Sequence, residues 1–388
     1  MDAFLNLWKK SSEHDFKYSL ATSLLQKLCR DERKNFVISP LSLGTCLGMV
    51  LLGMKGKTRK ELLDFMKASD ENSLHSAFET LLSDDKSPFK IANKVLADKS
   101  CVIREESEAS LKTKYKAEID SVDFTRSAKE IEDQINTWVA NKTNKRIPKL
   151  ISENSLKPDH ILVLLNAIYF KATWLHEFSP LREKENFKLR SGDVIKANFM
   201  MKSSSSFGYG ESDSLRLAKI PYEEQNVYMV AAIPKDEEKH IDDVIAGMSI
   251  SELASTIESV EQQPGTIVAL TMPKFKIAYD FEDLPKNLKG LGVNKMFIRG
   301  ECDLGNLFSK VKDEPFVSEI IHKAVIEVNE KTTEATAATL IGCRVGCAPN
   351  RGPPPRRIAL RLDRPFCFWI LSGDNVVPFV GICADPTS

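Results

Sequence analysis

Near residue 161 the hydrophobic pattern of the chain changes period, and this constrains the fold more than any other feature. Upstream, apolar residues recur at helical spacing. Leu20, Leu24, Leu25 and Leu28 form a stripe between Phe16 and Arg30, and Ile131, Ile135, Trp138 and Val139 form another within EIEDQINTWVANKTNK. Between them Ser39-Pro40 has the form of a helix start, with Ser39 as N-cap and Pro40 at the first helical position. Downstream, six β-rich apolar runs follow one another: ILVLLNAIYF, NVYMVAAIP, GTIVALTMP, AVIEVN, FCFWILS and VVPFVGIC. One further helix is expected around Leu284 to Leu291. The sequence has no repeat period and no long Gly/Ser linker, and Ser203 to Ser206 reads as a loop. A mostly helical first third followed by strands predicts an α+β fold in a single domain, residues 1–388. With 388 residues and 42% hydrophobic content, one large core can be filled.

Charge and motifs narrow the function classes. Lys+Arg and Asp+Glu both number 54, so the basic excess of a nucleic-acid binder is missing. No segment reaches 18 apolar residues, so no membrane-spanning helix is expected. MDAFLNLWKKSSEHDF lacks the apolar core of a signal peptide. A cytoplasmic protein is the expectation, with unconventional release to the extracellular space left open. The eight cysteines are scattered and read as reduced thiols, and Asn141-Lys142-Thr143 reads as a chance glycosylation sequence. GMKGKT at Gly53 to Thr58 imitates a phosphate-binding loop, but the glycine needed at position 51 is leucine, so a turn between helices is expected. Cys343 and Cys347 lack a nearby histidine, and the six histidines are dispersed. Nothing nominates a nucleophile, a metal or a cofactor, and the chain is not expected to be an enzyme.

The segment EVNEKTTEATAATLIGCRVGC, Glu327 to Cys347, is unusual. An alternating strand is followed by Thr332 to Thr339, in which nothing is larger than glutamate. No proline occurs from Glu330 to Ala348, whereas Pro349 and Pro353 to Pro355 follow. A segment that is solvated in one state and a central strand in another needs small side chains that slide between existing strands, and it cannot contain proline.

Longer blocks carry a family likeness. NFVISPLSL (Asn35 to Leu43) with Gly48, Leu52, Gly53 and Gly56 to Thr58 resembles the N-x-x-x-SP-x-S helix of the serpins. LNAIYFK (Leu165 to Lys171) with Trp174 and Phe178 resembles their central strand. MPKF (Met272 to Phe275), Leu291-Gly292, the stretch from His322-Lys323-Ala324 to Glu334, Arg364-Pro365-Phe366 and PFVG (Pro378 to Gly381) are similar to further serpin blocks in the right order. The resemblance spans essentially the whole chain. It implies three β-sheets, about nine helices and an exposed reactive loop near the C-terminus, here 330–356. It also implies suicide inhibition. A serine protease cleaves the loop, forms an acyl-enzyme and is trapped covalently when the loop inserts into the large sheet. Loop insertion of this kind is a standard instance of strand addition and released strain. A monomeric inhibitor is implied.

By the same resemblance Glu330, Thr332, Thr333, Glu334, Ala335, Ala337, Ala338 and Thr339 form the hinge. Thr332 replaces the usual glycine and is expected to slow insertion modestly. Ser39, Ser42, Asn166 and His322 correspond to the shutter beneath the sheet. Trp174, Lys274 and Glu330 correspond to the breach where the loop first enters, and a Lys274–Glu330 ion pair is expected. Sixteen residues after Glu330 the scissile bond falls at Gly346–Cys347, a reach of roughly 53 Å at strand rise. Val345 would suit an elastase-like target and Arg344 a trypsin-like one. A chymotrypsin-like target also stays open, and Arg351 is a more exposed alternative. The extension CAPNRGPPPRR is basic and proline-rich, fit for a rigid display or an acidic patch on the target. A Cys343–Cys347 disulfide is opposed by strand geometry. The competing reading is a non-inhibitory serpin, a binding or chaperone module.

Overall fold

The computed structural model describes residues 19–68, 70–83, 87–281, 283–311, 313–331, 355–373 and 376–388. Among them are nine α-helices, three larger β-sheets and two short two-stranded ribbons, in keeping with the α+β expectation. The hinge residues Thr332 to Thr339 lie outside the described residues, as do Cys343, Arg344, Val345, Gly346, Cys347 and Arg351.

The sheet that matters for function has five strands. In spatial order they are Phe275–Asp280, Val317–Val328, Leu162–Phe170, Phe89–Asp98 and Glu118–Val122. Val317–Val328 runs parallel to its neighbour Leu162–Phe170, from Val317 opposite Leu162 to Ile326 opposite Phe170, with a one-residue bulge between Val317 and Glu319. Phe275–Asp280 and Phe89–Asp98 flank this pair antiparallel. Every residue of Leu162–Phe170 is buried, because the sheet is covered on both faces. Beneath lies the helix Pro40–Leu51, all twelve residues buried, started by Ser39, whose hydroxyl accepts the Ser42 amide at 3.1 Å. A helix apolar all round can only sit inside a core. Above lies the helix Ala128–Lys142, which packs Ile131, Ile135 and Val139 over Val163, Leu165, Ala167, Tyr169 and Val325.

Among the described residues the first third is mostly helical, as expected, but it also holds two strands of this sheet that were not read from the sequence. Phe89–Asp98 and Glu118–Val122 were hidden because KIANKVLAD mixes its apolar residues with Lys, Asn and Asp, which strands ordinarily disfavour. Their place beside the central strand overrides local preference. The run GMKGKT is a turn leading into the helix Gly56–Phe65. The Thr58 hydroxyl donates to Glu301 O and accepts the Asp303 amide, both at 3.1 Å, so it anchors a loop.

A six-stranded sheet completes the core, with Val376–Cys383 between Phe36–Ile38 and Phe366–Ser372. Gly381 lies opposite Val37, and a Cβ there would fall 2.3 Å from Phe36 O and 2.8 Å from the Phe368 ring. Only glycine lets these strands approach so closely. The third sheet has Arg356–Arg361 at its edge, parallel to Thr266–Pro273. The chain therefore leaves the five-stranded sheet after Val328 and returns, at Arg356, in a different sheet. Six cysteines, Cys29, Cys46, Cys101, Cys302, Cys367 and Cys383, are buried. Burial raises the thiol pKa, for Cys302 to about 12, which leaves it inert as a nucleophile.

Candidate functional site

The boundary between Leu162–Phe170 and Val317–Val328 is where a new strand could enter, and it is crossed by polar contacts at two levels. At mid-sheet His322 lies directly opposite Asn166. The Ser42 hydroxyl donates to Asn166 Oδ1 at 2.5 Å, and His322 Nδ1 lies 2.6 Å from the same oxygen. Asn166 Nδ2 donates to Asn93 Oδ1 at 2.8 Å, and Asn93 Nδ2 donates to Tyr115 O at 2.9 Å. The chain of donors is fixed from its far end. A carbonyl only accepts, so Asn93 turns its NH2 to Tyr115 and its oxygen to Asn166, and Asn166 Oδ1 is left to accept. His322 therefore carries its proton on Nδ1. Ser42, Asn93, Asn166 and His322 are all buried. Tyr115 fits because Gly48 leaves room: a Cβ there would sit 2.5 Å from the Tyr115 hydroxyl oxygen.

Of the four shutter residues named from the sequence, Ser42 and His322 thus converge on Asn166, while Ser39 acts one step back by capping the helix that carries Ser42. Asn93 and the Tyr115 carbonyl were missed. The signal for Asn93 was an asparagine inside a strand that was itself not recognised.

His322 Nε2 is buried without a partner, and burial pushes the imidazole down to about 4. The neutral form is favoured in the fold, so the unfolded chain takes up a proton first. Stability from this site is complete above the ordinary pKa of 6.5 and falls as pH drops from there towards 4. The span of the shift corresponds to about 3 kcal/mol. Thermal melts between pH 7 and pH 4.5 should show a His322→Gln variant losing clearly less stability than the parent. Equal losses in both would remove His322 as the source.

At the upper end of the same boundary the Trp174 indole N–H donates to Asn329 O at 2.8 Å, and the Phe178 amide donates to Glu330 O at 3.2 Å. Trp174 is held by stacking on Tyr222, with centroids 4.2 Å apart, and by an edge contact with Phe178. Lys331 and Glu177 pair at 3.5 Å. Lys274 Nζ lies 2.9 Å from Glu330 Oε1, with side chains 33% and 21% exposed. Lys274 sits between Thr266–Pro273 and Phe275–Asp280, on the same side of the boundary as Val317–Val328. The ion pair is present, yet it does not itself cross the boundary. It fixes Glu330, whose carbonyl then meets the Phe178 amide. Water still reaches both side chains, so the pair contributes on the order of 1 kcal/mol. The crossing contacts come from Trp174 and Phe178, and Phe178 and Asn329 were not identified as breach residues from the sequence.

Among the described residues no group of three or more His, Cys, Asp or Glu side chains could hold a metal, and no helix is long and apolar enough to cross a membrane.

The family described as serpin (serine protease inhibitor) matches residues 16–386. The chain is similar to human Serpin B9, with 29% identity over 95% of this chain and 98% of that protein. It is also similar to the horse leukocyte elastase inhibitor, with 32% identity over 80% of this chain and 83% of that one. The native stressed conformation of Arabidopsis AtSerpin1 superposes with a TM-score of 0.82 at 25% identity, covering 100% of both chains. Sequence blocks, fold and family match agree, and the chain belongs to the serpin family.

Proposed function

We propose that this protein, acting as one domain of residues 1–388, is a suicide-substrate inhibitor of serine proteases. The observation that carries the reading is the parallel pair Leu162–Phe170 and Val317–Val328 in the middle of the sheet. The chain leaves this pair into a segment of small residues that returns in another sheet. A strand turning back from Lys331 would run antiparallel to both members of the pair. It would replace one parallel ladder by two antiparallel ones, which are slightly more stable per residue.

Two unsatisfied atoms support the reading. His322 Nε2 and Asn329 Oδ1, on opposite levels of the boundary, are buried acceptors without partners. In the proposed sequence the protease serine Oγ attacks the carbonyl of residue 346. The 346–347 amide breaks, its nitrogen takes up the proton, and an ester joins protease and inhibitor. Insertion of the loop then carries the ester away before water cleaves it. Ser42, Asn93, Asn166 and His322 gate the middle of the sheet, and Trp174, Phe178, Lys274 and Glu330 gate its upper end. The similarity to a leukocyte elastase inhibitor and Val345 beside the counted bond favour an elastase-like protease.

The test is incubation with elastase, chymotrypsin and trypsin, read on a denaturing gel. A complex stable in SDS, with a C-terminal peptide whose mass begins at Cys347, is the expected result. Clean cleavage by all three without complex, and without a change in melting, would favour the binding-module reading.

A further inference from the structure

A strained turn just after the helix Ala128–Lys142 directs one side chain onto the boundary that must open. Asn144 and Lys145 have φ of 49° and 62°, two successive non-glycine residues in the left-handed region. The turn is locked by bonds from Lys145 N to Ala140 O at 2.6 Å and from Arg146 N to Thr143 O at 2.9 Å. The buried Thr143 hydroxyl donates to Val139 O at 2.7 Å and accepts the Ile147 amide at 3.1 Å. What this geometry delivers is Arg146. Its guanidinium lies 5.8 Å from the centre of the Tyr169 ring, and its Nη1 lies 3.4 Å from Glu327 Oε2. Tyr169 belongs to the central strand and pairs with Val325. Glu327 is two residues further along that partner strand, on the same face. One side chain therefore touches both strands, on the face opposite the Asn166–His322 contact.

We infer that Arg146 is a strap across the parallel pair, a positioning residue that holds the sheet closed from its outer face and limits how fast it opens. The inference rests on the insertion reading above. An entering strand would move Tyr169 and Glu327 apart by about one further strand spacing of 4.8 Å. Contact with a ring needs about 6 Å and an ion pair about 4 Å, so one guanidinium cannot then keep both. Insertion must break the strap.

The test uses the intact protein and a synthetic peptide of residues 332–342, TTEATAATLIG, whose uptake is followed by native gel and by melting. Arg146→Gln and Glu327→Gln should each speed uptake about three- to tenfold. The double variant should be no faster than Arg146→Gln alone, because without the guanidinium Glu327 has nothing left to hold in the strap. Arg146→Lys should fall in between, since lysine keeps the charge but loses the planar face over Tyr169. Arg146→Gln and Glu327→Gln should each lower the melting temperature of the uncleaved protein and leave that of the loop-cleaved protein unchanged. Unchanged uptake, with equal losses in both forms, would overturn the strap and leave an ordinary structural contact. A parent protein that neither takes up peptide nor changes its melting on cleavage would instead overturn the insertion reading itself.

Discussion

Cleaving the chain between Arg344 and Cys347 should raise its melting temperature by more than about 10 °C. In the uncleaved protein the pair Leu162–Phe170 and Val317–Val328 is joined by one parallel ladder. An inserted strand of comparable length would pair its backbone on both sides. Roughly a dozen additional backbone hydrogen bonds at about 1 kcal/mol each amount to an order of 10 kcal/mol. One kcal/mol moves the melting point of a chain this large by about 1–2 °C. Calorimetry of the intact and the nicked protein, with both fragments retained, measures the difference directly. An unchanged or lowered melting temperature would mean that the cleaved loop stays outside the sheet, and the inhibitory reading would fail with it.

What the sequence made legible follows from how local each signal is. The strand Leu162–Phe170 could be read because it is buried on both faces, which requires a continuous apolar run. The helix start at Ser39-Pro40 was legible because a cap is a contact between residues three apart. Phe89–Asp98 was not, because its pairing with residues 162–170 is decided by the sheet, against its own composition. The site behaves in the same way. Ser42, Asn166 and His322 were named through likeness to a family, and the ion pair of Lys274 with Glu330 was expected likewise. That the pair lies to one side of the boundary, and that Trp174 and Phe178 cross it, depends on which strand neighbours which. No spacing in the sequence encodes such a neighbour relation between residues 178 and 330. The same holds for Asn93, whose role comes from lying opposite Asn166.

The Thr333→Arg variant should be cleaved at the parent rate and should form almost no covalent complex. Along an inserting strand, side chains alternate between the two faces of the sheet. Thr333, Ala335, Ala337 and Thr339 share one parity, and every member is small and uncharged. Glu334 belongs to the other set. The all-small set fits the face packed on the buried helix Pro40–Leu51, above Asn166 and His322. An arginine at 333 would have to enter that core without a partner, at a cost of several kcal/mol. If only about 3 kcal/mol of this is felt while the strand enters, insertion slows more than a hundredfold. The ester is then hydrolysed before the protease is carried away, and the inhibitor becomes a substrate. Glu334→Arg is the control. Its side chain belongs to the outward parity, so complex formation should survive. The measurement is the number of inhibitor molecules consumed per protease inactivated, alongside the cleavage rate on a denaturing gel. Complex formation retained by Thr333→Arg would show that this segment does not enter the sheet, whatever the protease.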